Sequence, residues 1–196
     1  MRLHHLAVPP MDNNCYLLVN NNEALLIDAA NNANEILTLL DQLQASLTAV
    51  ITTHHHADHV QALPEILAST QAHHYASAGD APFLPAPVDQ VLHHGDQILL
   101  GDTPLDILIL RGHTPEGVAV AGTVDGVTNI FTGDSLFPGG VGKTENSADF
   151  QQLFSDVTSR IFAKYPDTTI IWPGHGRHTT LGEQRPYLQS WQERGW

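Results

Sequence analysis

Cations are scarce in this chain of 196 residues. Lys and Arg together number 8 against 21 Asp plus Glu, a formal charge of −13. Nucleic acid and anionic membrane surfaces both call for a basic footprint, so this balance argues against either as a partner. Cysteine is rarer still. The single Cys15 excludes an intramolecular disulfide, and its place in the strand-like run NNCYLLV suits a small buried hydrophobe rather than a catalytic thiol. No apolar run is long enough to span a bilayer. The N-terminal MRLHHLAVPP lacks the apolar stretch of a signal peptide, so a cytoplasmic location is the default expectation. Tandem repeats, low-complexity tracts and linkers are also missing. With a 42% apolar share, residues 1–196 are expected to form one domain.

Strands and helices alternate along the chain. LHHLAV, CYLLV and EALLID read as strands, with NNN turning the last two. A helix is expected over 33–44, where Ile36, Leu37, Leu40 and Leu43 share a face and the preceding asparagines suit a cap. LTAVITT is a buried strand, followed by a helix in VQALPEILAS with Pro64 in its first turns. Further on, ILLGDTPLDILIL, VAVAG and VTNIFTGD are strand-like. The stretch 147–165 is an amphipathic helix whose apolar face carries Phe150, Leu153, Phe154, Val157 and Ile161, with Ser147 as its cap. TTIIWPG is another strand. A final helix starts near Thr180, which has capping-box spacing to Glu183. Helices following strands in each half imply helices packed outside sheets.

What the chain has in plenty is histidine, 13 in all. The pairs His4–His5, His73–His74 and His93–His94 read as structural or exposed. The run THHHADH is different, because it stands at the end of a buried strand. On an extended chain His54 and His56 point the same way, and His55 points away. Asp58 and His59 follow a turn and can face the same space. Imidazole nitrogen and carboxylate oxygen together suit zinc or iron. More candidates stand where later strands end: His113 in RGHTPEG, Asp134 in FTGDSLF and His175 in WPGHG. Each is flanked by glycine, which lets backbone turn sharply beside an ion.

THHHADH matches the T-H-x-H-x-D-H signature of the metallo-β-lactamase superfamily, and GHTPEG, FTGDSLF and PGHG match its next three motifs in order. The chain resembles that family over nearly its whole length. Within it, the resemblance is to glyoxalase II-like (hydroxyacylglutathione hydrolase-like) enzymes of a short bacterial type. The fold implied is α/β, a four-layer αββα sandwich of two mixed sheets with outer helices. The helical C-terminal domain of full-length glyoxalase II is not expected. The resemblance assigns His54, His56 and His113 to one metal, Asp58, His59 and His175 to a second, and Asp134 to both. The cofactors implied are two divalent ions, zinc foremost, with iron or manganese as alternatives. A hydroxide bridging ions roughly 3.5–4 Å apart would attack the acyl carbon of a small thioester or ester, with Asp58 orienting it.

Lys143, with its neighbour Thr144, stands about where glutathione thioesterases of the family place a cation for the substrate's carboxylate. An equally weighted alternative makes Lys143 a solvated loop residue. Three other functions stay open: a one-iron persulfide (sulfur) dioxygenase, a lactonase, and a non-enzymatic metal binder. The intact WPGHG favours two metals over one. GGVGKT is not a phosphate loop, because Phe137 stands where that motif needs glycine. Trp191 and Trp196, expected to be exposed, admit either a homodimer or a core-covering role.

Overall fold

Alternate residues of the central strands face different layers, and that alternation sets the architecture. The computed structural model describes residues 1–9 and 11–195. Strands β1 (Arg2–Val8), β2 (Asn13–Asn20) and β3 (Glu23–Ile27) form an antiparallel meander. Helix α1 (Ala33–Leu43) then crosses over to β4 (Ser46–Ile51), and α2 (Leu63–Thr70) to β5 (His73–Ser77). β4, β5 and β6 (Gln90–Leu92) continue the sheet in parallel from β3, in the order β1-β2-β3-β4-β5-β6.

The second sheet follows the same plan. Strands β7 (Gln97–Leu100), β8 (Thr103–Leu110), β9 (Gly117–Val124) and β10 (Val127–Gly133) are antiparallel neighbours. The short hairpin β11 (Leu136–Phe137) and β12 (Gly140–Val141) comes next. Helix α3 (Ser147–Val157) leads to β13 (Ile170–Pro173), which pairs parallel to β10, and β14 (Thr179–Thr180) completes the edge. Short helices α4 (Leu181–Gln184) and α5 (Leu188–Arg194) end the described chain.

Cys15, Leu17 and Val19 of β2 face the layer of α1 and α2, while Tyr16 and Leu18 face the other sheet. In β8, Leu105, Ile107 and Ile109 face inward, and Leu108 and Leu110 meet α3. Both sheets are thus covered on both faces, which is why their strands read as continuous apolar runs. The expected αββα sandwich is the fold observed.

Several local expectations need correction. The cap of α3 is Asn146, not Ser147; its side chain accepts from the amides of Ala148 and Asp149 at 2.9 and 3.0 Å. Asn32 does occupy the cap position of α1, but in a left-handed conformation with no side-chain cap bond. The helix expected over 147–165 turns into a π-helical segment, Thr158–Phe162. The final helix is interrupted at Pro186, whose ring cannot continue the regular ladder, although the Thr180–Glu183 capping box is present. Trp191 is buried against Phe162 and the helix-side core, so it is not an exposed aromatic; Trp196 lies outside the described residues. Strands β5 and β6 had no clear apolar signal. Among the described residues no helix is long and apolar enough to cross a membrane.

Candidate metal centre

The register brings the strand ends together. Ile27, Ile51 and Tyr75 are successive partners across β3, β4 and β5, so Asp28, the His54 loop and Asp80 leave the first sheet at one edge. In the second sheet, Gly133 of β10 pairs with Pro173 of β13, which places Asp134 and His175 side by side. An isolated bridge between Asn13 and His175 joins the two sheets there. Loops beyond such strand ends are the usual location of sites in α/β folds.

Two clusters result. One ligand atom from each of His54, His56 and His113 lies within 4.8 Å of the others, and the same holds for Asp58, His59 and His175. Nε2 of His113 approaches Nδ1 of His56 at 3.2 Å, and Nε2 of His59 approaches Nε2 of His175 at 3.2 Å. Asp134 lies between the clusters. Its Oδ2 is 3.7 Å from His113 Nε2 and 3.4 Å from His175 Nε2, and its Oδ1 is 3.4 Å from His59 Nε2. All seven side chains singled out in the sequence therefore converge. His55 points elsewhere: its amide and ring both bond Asp80.

The neighbours of the histidines decide which ring nitrogen carries the proton. A carbonyl can only accept. His113 Nδ1 therefore donates to the Lys143 carbonyl (2.7 Å) and His175 Nδ1 to the Met11 carbonyl (3.1 Å). His59 Nδ1 donates to Asp28 Oδ2 (2.8 Å). The Thr53 hydroxyl already donates to Asp28 (2.7 Å), so it accepts from His54 Nδ1 (2.9 Å). All four rings thus keep their proton on Nδ1 and turn Nε2 toward the centre, the atom a metal ligand offers once it gives up any proton of its own.

Two observations test whether a cation fits. His54 Nε2 and Asp134 Oδ1 are buried and have no hydrogen-bond partner, an expensive arrangement unless something else binds them. The local field also demands positive charge. Burial disfavours a charged His59, yet Asp134 and Asp28 on either side push its pKa up to about 10. Burial would likewise raise Asp134, but the imidazoles of His175 and His59 beside it hold its carboxyl far below the usual range. Burial lowers His54 and His56, keeping both imidazoles neutral. The donor set of imidazoles and carboxylates suits a divalent ion.

Glycines keep this space clear. A Cβ on Gly174 would collide with Asp134 Oδ1 and lie 2.6 Å from His59 Cε1, and one on Gly142 would collide with the Asp134 backbone. Gly174 of WPGHG and Gly142 thus serve close approach.

Sequence reasoning missed four supports. Asp28 accepts from the Thr53 amide, the Thr53 hydroxyl and His59; its carboxylate is occupied, so it orients His59 rather than completing a third cluster. Asn13 Nδ2 donates to Asp58 Oδ2 at 2.8 Å. The Met11 carbonyl and Asp80 are the others. The one available signal was a carboxylate directly after an apolar strand, as in EALLID. Lys143 contributes its carbonyl to His113 while its side chain is exposed, and the Thr144 hydroxyl donates to the Asn146 carbonyl at 3.4 Å. Cys15 is buried, and burial pushes its thiol up to about 11, which removes it as a nucleophile.

Comparison with known proteins places the chain in a family. The profile of the Metallo-beta-lactamase superfamily matches residues 8–175. A hydroxyacylglutathione hydrolase of Fuscovulum blasticum is 34% identical over 178 residues, covering 89% of this chain and 67% of the relative. The hydroxyacylglutathione hydrolase GloC of Haemophilus influenzae is 29% identical, covering 97% of this chain and 99% of the relative. The crystal structure of ETHE1 from Myxococcus xanthus superposes with a TM-score of 0.84 at 26% identity, over 98% of this chain and 85% of that one.

Proposed function

The chain belongs to the metallo-β-lactamase superfamily and is a metal-dependent hydrolase, and we propose that it cleaves a small thioester or ester with two divalent ions, in the manner of glyoxalase II. One observation carries this: Asp134 lies within 3.7 Å of ring nitrogens from both clusters, with its buried Oδ1 left without a hydrogen bond. His54, His56 and His113 would hold one ion, Asp58, His59 and His175 the other, and Asp134 both. Zinc is the foremost candidate, with iron or manganese as alternatives. When bound, such a pair supplies a water of lowered pKa and a Lewis acid for the acyl carbonyl.

The chain's own residues do the rest. Asn13 holds the Asp58 carboxylate at 2.8 Å, so Asp58 is fixed to orient the attacking water. The carbonyls of Lys143 and Met11 accept from Nδ1 of His113 and His175, which turns Nε2 of each ring toward the ions. No side-chain nucleophile is required. Lys143 meets a carboxylate on the substrate, with Thr144 beside it. The whole of residues 1–196 forms one catalytic domain.

The likeness to ETHE1 favours a second reading, a one-iron persulfide dioxygenase. Elemental analysis of protein purified without chelator or tag separates the two. Two ions per chain with thioester hydrolysis supports the hydrolase. One iron per chain, with oxygen uptake on a persulfide, overturns it.

A further inference from the structure

A cleft of about 510 Å³ opens beside the candidate centre, with His56 and His113 in its wall. The cleft therefore begins where an acyl carbon would be attacked. Phe83 and Pro115 supply its apolar surface. Phe83 ends the short 3-10 turn Ala81–Phe83 and is 63% exposed, so a large ring is left for a ligand to cover. Its support is fixed. The ring lies 4.9 Å from that of His55, and His55 is held through amide and ring by the buried Asp80.

The charges in the cleft point the same way. Its ionisable walls, apart from the histidines, are Arg111, Glu145 and Asp149. The Arg111 guanidinium is committed: Nε and Nη2 each donate to Asp156 at 2.8 Å. Among the described residues no salt bridge links a cation to Glu145 or Asp149. Lys143 is not among the cleft's walls. Away from the candidate metal centre the cleft's protein walls are thus negative on balance, and a carboxylate lying against them meets repulsion.

We infer that one arm of the substrate is uncharged and apolar, aromatic or branched aliphatic, that it lies in this cleft, and that Phe83 is the residue that selects it. The inference rests on the hydrolase reading above and narrows it. Lys143 stands outside these walls, so the requirement applies to one arm alone.

Two panels test this on the metal-loaded full chain. One varies the acyl group on a single neutral thiol: acetyl, 3-phenylpropanoyl and succinyl. The other varies the thiol on a single acetyl group: neutral aliphatic, phenyl-bearing and carboxylate-bearing. In one panel kcat/KM for the phenyl-bearing member exceeds that for the carboxylate-bearing member by about tenfold or more. Phe83→Ala collapses that ratio, mainly through KM. Paired Glu145→Gln and Asp149→Asn substitutions narrow it by raising the carboxylate-bearing member. Flat profiles in both panels, or a ratio that Phe83→Ala leaves intact, overturn the inference while leaving the hydrolase reading in place. Failure of every thioester and ester to turn over strikes the hydrolase reading instead. Calorimetric binding of phenylpropanoyl and succinyl hydroxamates to wild type and Phe83→Ala then decides the cleft's preference alone: equal affinities in wild type, or a preference that survives the substitution, overturn it.

Discussion

Asp80 and His55 are joined twice, by the His55 backbone amide at 3.1 Å and by a short bond from its ring. The other oxygen of Asp80 accepts from the Thr114 hydroxyl and the Glu116 amide, both at 3.1 Å. One buried carboxylate therefore ties the loop carrying His54 and His56 to the loop carrying His113. Asp80→Asn should weaken metal binding by about tenfold, in the range found for groups that orient ligands. Competition with a chromophoric chelator reads this directly. Unchanged affinity would mean that the loops hold their spacing without Asp80.

His56 is half-buried and makes no contact the core depends on. His56→Ala should abolish hydrolysis and leave the circular dichroism spectrum of the folded protein intact. Retained turnover would sink the metal mechanism.

Asp134 reaches both clusters, so Asp134→Ala should lower the content of both ions, not one. Elemental analysis of the variant gives the stoichiometry. Full content would show that the bridge is misassigned.

Lys143→Ala should raise KM for a carboxylate-bearing substrate severalfold, with kcat little changed, as expected for loss of a uniform binding contact. Steady-state kinetics checks it. Identical constants would return Lys143 to a solvated loop role.

His74 gives the metal-free protein a pH dependence. Its ring is buried, with Nδ1 donating to the Pro87 carbonyl (2.7 Å) and Nε2 beside the Thr52 hydroxyl (2.9 Å). Burial lowers its pKa in the folded state. Below about pH 6.5 the unfolded chain takes up a proton that the folded chain refuses, so stability falls as pH drops, by at most about 1.4 kcal/mol per pH unit from this group. Urea denaturation of chelator-treated wild type and His74→Asn at pH 7, 6 and 5 should show a shallower decline in the variant. Parallel declines would place the effect elsewhere.

The candidate ligand positions were legible because the signal is local. The alternation of His54 and His56, the turn to Asp58 and His59, and a Gly-flanked residue after each later strand all lie within short windows. The two-sided burial of both sheets was legible for a similar reason, in apolar runs such as LDILIL. The cap of α3 was off by one residue, because Asn146 and Ser147 are both good caps and only the backbone decides between them. Trp191 could not be placed from its amphipathic window alone, since burial depends on what the second sheet presents to it.

By itself, then, the sequence determined the candidate donors, the strand ends that carry them and the packing of helices outside sheets, since these follow from residue type and periodicity, while the αββα layering followed from the resemblance its motifs carry. Tertiary structure alone decided the rest. Asp28, Asn13, Asp80 and the carbonyls of Met11 and Lys143 meet their partners across sequence separations of 25 to 164 residues, and no local pattern encodes such contacts. The same holds for the cleft, where Phe83, Arg111 and Glu145 come from three different loops. A hydrogen bond or a cavity wall is a relation in space, and the register of strands fixes that relation only once both sheets have packed.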